Sequence, residues 1–254
     1  MHELDHLSYS SISAYLACPR AWKYHYIDKI KMPTSPSLIF GTAFHQTVQT
    51  MIAAQRPVDV VPIWNENWSK VQQQEIAWNG ELPEQLGNEG LRMLSHPATL
   101  DVVNRLKPLI ENRQPVIEKR IELRVPDVPV PIIGFVDLIT KDGIPHDFKT
   151  AARSWTQEQA QSEMQPLFYL AALGQMGYTL NPDLKFRHVV FVKTKTPQCQ
   201  VFESVFNYSQ YFFLIETIQH VWRGIKAEVF PPNPGTWKCS ERYCEYWKLC
   251  RGKP

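Results

Sequence analysis

The sequence predicts an α/β protein of the α+β kind, a mixed central sheet flanked by helices. Three observations carry this. Ile132-Ile133-Gly134-Phe135-Val136-Asp137-Leu138-Ile139 and Ile144 through Thr150 are β-forming runs separated by Lys141-Asp142-Gly143, which is turn chemistry, so the segment reads as a hairpin. Phe186-Arg187-His188-Val189-Val190-Phe191-Val192 and Cys199 through Phe206 read as two more strands, joined by a basic loop with Lys193 and Lys195. Between them Leu167-Phe168-Tyr169-Leu170-Ala171-Ala172-Leu173 is almost apolar all round, the pattern of a helix packed on a sheet.

The length, 254 residues, suits one large domain or a core with an inserted part. No apolar run approaches the ~20 residues that cross a bilayer. Met1-His2-Glu3-Leu4-Asp5-His6 lacks the charged-then-apolar pattern of a signal peptide, so an intracellular protein is expected. A net charge of +2 neither announces nor excludes a nucleic-acid binder, because only the field at a groove matters. The local basic clusters, Arg20 with Lys23, Lys29 with Lys31 and Lys193 with Lys195, are equally explained as solvated surface.

In chain order, Ser8-Tyr9-Ser10-Ser11 offers N-cap residues for a helix through Ile12, Tyr15 and Leu16. Pro19 should break it, with a second helix starting beside Cys18. An amphipathic helix follows Gly41-Thr42-Ala43-Phe44-His45 and places His45 in its first turns, where a hydrogen-bonded structural role competes with metal ligation. From Pro57 to about Pro115 the chain is helix-like, anchored by Trp64, Trp68 and Trp78 and interrupted by Pro83, Gly87 and Gly90. Val116 to Val125 alternates like a strand over its second half; Glu118 or Glu122 could face a site, though an exposed strand face accounts for both. Thr156 to Ala160 offers a helical turn. Gln165 and Pro166 open the apolar helix, which ends near Gly174 or Gly177, and Gln165 and Tyr169, four apart, share one of its faces. Tyr211 to Ala227 reads as a long amphipathic helix.

The chemistry centres on the hairpin. Asp147 and Lys149, two apart on a strand, point the same way. A two-residue turn at Asp142-Gly143 would set Asp137 opposite Phe148, on the wrong face. A three-residue loop over Lys141, Asp142 and Gly143, with Gly143 left-handed in a bulge, sets Asp137 opposite Asp147, and this register is expected. Two carboxylates and a lysine at strand ends suit a hard cation, Mg²⁺ or Mn²⁺, and phosphodiester hydrolysis. An Asp-x-Lys alone is equally a solvated ion pair at a sheet edge.

Cys239, Cys244 and Cys250 fall within twelve residues as C-x4-C-x5-C. Zinc sites usually show paired C-x2-C spacing, and disulfides are disfavoured inside cells. Three clustered thiolates plus a remote one suit a four-cysteine iron–sulfur cluster, with Cys18 as the fourth ligand and Cys199 left as strand core.

Six motifs in order then resemble the RecB-like branch of the PD-(D/E)XK nuclease superfamily in its iron–sulfur form, shared by CRISPR adaptation nucleases and phage-type exonucleases. They are Ser11 to Pro19, Gly41 to His45, Gly134 to Asp137, Asp147-Phe148-Lys149, Gln165 to Tyr169, and the three tail cysteines. The resemblance implies a restriction-endonuclease-like core with accessory helices. It makes 1–254 a single nuclease domain, 55–115 an accessory helical insertion, and 1–30 with 231–254 an iron–sulfur lobe. It implies His45, Asp137, Asp147 and the carbonyl of Phe148 as metal ligands, Lys149 as the residue orienting the attacking water, and Gln165 with Tyr169 as positioning groups. Cys18, Cys239, Cys244 and Cys250 would hold a structural [4Fe-4S] cluster.

The function implied is a Mg²⁺- or Mn²⁺-dependent DNA exonuclease acting on single strands or free ends in recombination, replication or repair. It would work in the cytoplasm of a bacterial, archaeal or phage-infected cell, as a homo-oligomer or with a recombination or integration partner. Two alternatives stay open: a CRISPR adaptation nuclease that trims DNA before integration, and a non-catalytic iron–sulfur DNA-binding module. Cys239-x4-Cys244 departs from the C-x2-C of many CRISPR-type members and fits the phage-type branch better.

Overall fold

A computed structural model describes residues 4–252, so the outermost residues of the expected iron–sulfur lobe lie outside the described part. The elements run β1 (Leu7–Ser8), α1 (Tyr9–Ala17), α2 (Pro19–Tyr26), α3 (Pro36–Ala53), α4 (Val60–Val71), α5 (Pro83–Leu94), α6 (Pro97–Arg105), β2 (Ile110–Glu111), β3 (Gln114–Pro115) and β4 (Ile117–Leu123). They continue with β5 (Ile132–Ile139), β6 (Pro145–Ala151), α7 (Gln157–Ser162), α8 (Gln165–Gln175), β7 (Lys185–Val192), β8 (Gln198–Val205), α9 (Tyr208–Lys226) and α10 (Trp247–Arg251). The fold is mixed α/β, as expected. No helix among the described residues is long and apolar enough to cross a membrane.

The chain divides into two compact units. The first joins three separated stretches, residues 4–32, 122–134 and 208–252. Here β1 runs parallel to the start of β5, with Leu7 opposite Ile132. Ser8 caps α1 by accepting from the Ser11 N–H at 3.0 Å, and Pro19 opens α2 at its first turn, with extended Cys18 between the helices. Trp22 stacks between Tyr26 and Phe230, and the Tyr15 hydroxyl donates to the carbonyl of Val229 at 2.6 Å, which ties α1 to the chain after α9.

The second unit, residues 33–121 and 135–207, holds the main sheet and the helices of the 55–115 stretch. β5 and β6 are antiparallel, β6 and β7 parallel, β7 and β8 antiparallel, and β4 pairs with β5. Its core combines Ile39, Phe40, Phe44, Val48 and Met51 of α3 with Trp64 and Trp68 of α4, Met93 and Leu94 of α5, and Phe148 and Phe191 from the sheet.

Two expectations change. The helix carrying His45 begins at Pro36 rather than near Gly41, because Ser35 caps it through the Leu38 N–H at 3.3 Å and Pro36 takes the first helical position; His45 therefore sits in mid-helix. Gly87 and Gly90 lie inside α5 instead of interrupting it. The stacked indoles of Trp64 and Trp68 press on them: a Cβ at Gly87 would stand 2.7 Å from Trp68 Nε1, and one at Gly90 would overlap the Trp64 ring. Those glycines are packing space.

Candidate active site

The hairpin takes the expected register. Leu138 lies opposite His146 and Ile139 opposite Pro145, and extending that register sets Asp137 opposite Asp147. The turn works because Gly143 is left-handed, φ 72°, and its N–H reaches the Thr140 carbonyl at 2.9 Å while the Thr140 N–H reaches Ile144 at 3.1 Å. A β-branched or bulky residue at 143 would meet both the left-handed backbone and the Thr179 carbonyl.

Around this pair the second unit gathers the remaining candidates. Asp137 Oδ2 accepts the Phe148 N–H at 2.6 Å, and the His45 Nδ1 of α3 stands 3.9 Å from Asp137 Oδ1. Lys149 Nζ forms an ion pair with Asp147 Oδ2 at 2.7 Å. The same ammonium donates to Gln165 Oε1 at 2.8 Å; Gln165 Nε2 donates to the Tyr169 hydroxyl at 2.6 Å, and that hydroxyl lies 3.5 Å from Asp147 Oδ1. The chain Lys149–Gln165–Tyr169–Asp147 thus closes on itself, giving the polar pair of α8 the partners a buried helix face requires.

Electrostatics assign protonation states. Burial pushes the Asp137 carboxyl well above the ordinary carboxylate range and the Asp147 charge adds to the rise, against the Phe148 N–H and Lys149. Burial pushes the His45 imidazole down to about 4, leaving it neutral at pH 7 with a lone pair free for a metal. Burial alone would lower Lys149, but the carboxylates of Asp147 and Asp137 outweigh it and hold the group as an ammonium above its usual range. Burial and the Asp147 charge raise Tyr169, which stays a phenol.

Three residues beyond the expected set also reach the site. Gln49, one turn after His45 on α3, donates to Glu118 and lies 3.5 Å from Asp137 Oδ1. Glu118, left open by strand alternation, therefore faces the site. Glu163 adds a carboxylate raised by burial and lowered by Lys149. The i,i+4 spacing from His45 was a readable signal for Gln49; nothing local marked Glu163.

The first unit holds the four tail-and-joint cysteines as free thiols: Cys18 between α1 and α2, Cys239 and Cys244 in turns, and Cys250 in α10. Burial raises the Cys244 thiol, and the charges of Cys18, Cys239 and Cys250 raise it further, so the four share one electrostatic neighbourhood. Arg251 Nη2 approaches Cys239 Sγ at 3.5 Å. Cys199 sits apart, in β8 of the second unit, packed against the core. Among the described residues, no three His, Cys, Asp or Glu side chains are spaced to hold a metal ion as they stand.

The family model of the PD-(D/E)XK nuclease superfamily matches residues 6–251. The chain belongs to that superfamily. Its fold is shared with a crystal structure of a candidate exonuclease from Eubacterium rectale at a TM-score of 0.61 and 12% identity, covering 98% of this chain and 90% of that one. Two further structures align at TM-scores too low to carry an argument. They are SSO0001, at 0.39 and 13% identity over 96% and 94% of the chains, and Candida albicans Rai1 in complex with pU5-Mn²⁺, at 0.25 and 11% identity over 85% and 66%. No curated relative matches. Asp137 lies on β5 and Asp147-Phe148-Lys149 on β6, paired antiparallel strands of the central sheet.

The donor set fits a divalent cation. Asp137 and Asp147 are two buried carboxylates, burial and their mutual repulsion already disfavour the ionised form of Asp137, and a neutral imidazole stands beside them. A cation would relieve that repulsion and accept the imidazole lone pair.

Proposed function

We propose that this nuclease is a Mg²⁺- or Mn²⁺-dependent deoxyribonuclease that digests single-stranded DNA or free DNA ends as an exonuclease, in recombination, replication or repair. The observation that carries the hydrolytic reading is the register-opposed Asp137 and Asp147 with the Lys149 ammonium paired to Asp147 and held by Gln165. The preference for DNA and for ends rests on the RecB-like motif order.

His45, Asp137, Asp147 and the Phe148 carbonyl are the residues that would hold the cation, which supplies a water of lowered pKa and a polarised phosphoryl oxygen when bound. Lys149, kept protonated by its carboxylate neighbours, does not act as a general base in this state; its charge orients the attacking water and offsets charge that develops on the phosphoryl group. Gln165 holds the ammonium, and Tyr169, fixed as a hydrogen-bond donor, restrains Asp147.

The same reading makes 1–254 a single nuclease domain with 55–115 as its accessory helices. It places a structural [4Fe-4S] cluster on Cys18, Cys239, Cys244 and Cys250, supported by four free thiols that share one electrostatic neighbourhood. Binding would draw the thiolates together and tie residues 1–30 to 231–254.

The test is cleavage of end-labelled single- and double-stranded DNA by anaerobically purified protein with Mg²⁺ or Mn²⁺, beside Lys149→Ala. Metal-dependent laddering should appear in the wild type and fall by about 10²- to 10³-fold in the variant, with DNA binding largely kept. Loss of binding together with cleavage would make Lys149 a phosphate contact. Silence of the iron-loaded wild type with every metal and substrate would leave a DNA-binding module in place of an enzyme.

A further inference from the structure

Asp137 is held from two sides. Its Oδ2 is committed to the Phe148 N–H at 2.6 Å, whereas Oδ1 meets Gln49 Nε2 at 3.5 Å and His45 Nδ1 at 3.9 Å. Gln49 cannot be placed by α3 alone, because a glutamine side chain turns about several bonds. Its position is set by Glu118, whose Oε2 accepts the other proton of the same amide.

Glu118 itself occupies an unusual place. It lies inside β4, yet its backbone is left-handed, φ 50°, a conformation that costs any residue with a Cβ. A left-handed residue within a strand bulges it and re-aims its side chains, and such outliers concentrate where function needs them. Here the re-aimed carboxylate faces Gln49, whose amide lies between it and Asp137. An amide between two carboxylates donates to both and screens their repulsion.

We propose that Gln49 is a positioning residue that presents Asp137 Oδ1 to the active-site cation, and that Glu118 fixes Gln49 from behind. This rests on the metal reading of the site. Gln49 and Glu118 act as outer partners of a ligating carboxylate, and removing such partners typically costs about 10- to 100-fold in metal affinity. The pair is one unit, so losing either member should cost the same as losing both.

The experiment is a Mn²⁺ titration of the full chain without DNA, followed by the electron paramagnetic resonance signal of free Mn²⁺, with thermal unfolding of each variant alongside. Gln49→Ala and Glu118→Ala should each weaken Mn²⁺ binding by about 10- to 100-fold, and the double variant should bind no more weakly than Gln49→Ala. Glu118→Gln keeps an acceptor for the Gln49 amide and should bind near the wild-type level. Glu118→Gly accepts φ 50° without penalty, so it should fold as well as the wild type yet bind as weakly as Glu118→Ala, which keeps the test available if the alanine variant unfolds. Wild-type affinity in Gln49→Ala would overturn the inference, as would additive losses or a Glu118→Gln as weak as Glu118→Ala, since the last means that Glu118 acts through its charge. A wild type that binds no Mn²⁺ would instead defeat the metal reading and this inference with it.

Discussion

Asp137 and Asp147 meet because one residue, Gly143, accepts a left-handed backbone and leaves a loop of three residues between their strands. That much was legible in the sequence, since Lys141-Asp142-Gly143 carries its turn chemistry openly and alternation fixes which side chains share a face. Glu118 was legible only as one of two candidates: alternation let either it or Glu122 face the site or the solvent, and the positive φ that directs its side chain is announced by no residue pattern. Burial also sets the chemistry of single groups. The Cys199 thiol is pushed up to about 12, so it stays protonated throughout the physiological range and is a poor nucleophile. In the folded protein near pH 8, iodoacetamide should label Cys199 far more slowly than in urea, as read by mass spectrometry. Equal rates would show that its packing against the core is not maintained.

At the scale of elements, α3 serves two faces. Ile39, Phe40, Phe44, Val48 and Met51 enter the core, while His45 and Gln49, one turn apart, project to the carboxylates. The Ser35-Pro36 start of α3 is written in the sequence as an N-cap followed by proline, and Gly41 lies inside the helix rather than at its start. In α5, Gly87 and Gly90 resemble breakers because the indoles that need their space come from another helix. Gly90→Ala gains about 1 kcal/mol of helix propensity but forces a methyl group into the Trp64 ring, and overpacking of this kind costs about 1–3 kcal/mol. Urea unfolding should therefore show a lower midpoint for Gly90→Ala; a raised midpoint would mean that Trp64 swings aside freely. The Trp64 Nε1 bond to the Gly87 carbonyl at 2.9 Å argues that it does not.

Over the whole molecule, the mixed sheet and its helices follow from the strand and helix patterns, but the two-unit division does not. Local patterns report neighbours in sequence, and the first unit joins stretches more than a hundred residues apart through contacts such as Tyr15 with Val229. If the cluster is what ties them, Cys244→Ala should yield colourless protein in which amide protection falls in residues 4–32 and 208–252 while the buried core of residues 33–121 and 135–207 keeps its own. A variant that stays brown, or a colourless wild type carrying zinc, would remove the cluster from the account.

The same arrangement sets a schedule for the ribosome. All of residues 33–207 are made before α9 begins, so the unit bearing the carboxylates has its full sequence while the other still lacks its last stretch. Cys18 is synthesised 232 residues before Cys250. At about 5–20 residues per second, roughly 10–50 s separate the two. If the four cysteines are the cluster ligands proposed above, Cys18 waits through that interval as a bare thiol on a nascent chain, and iron delivered before Cys250 is made would find an incomplete set of ligands.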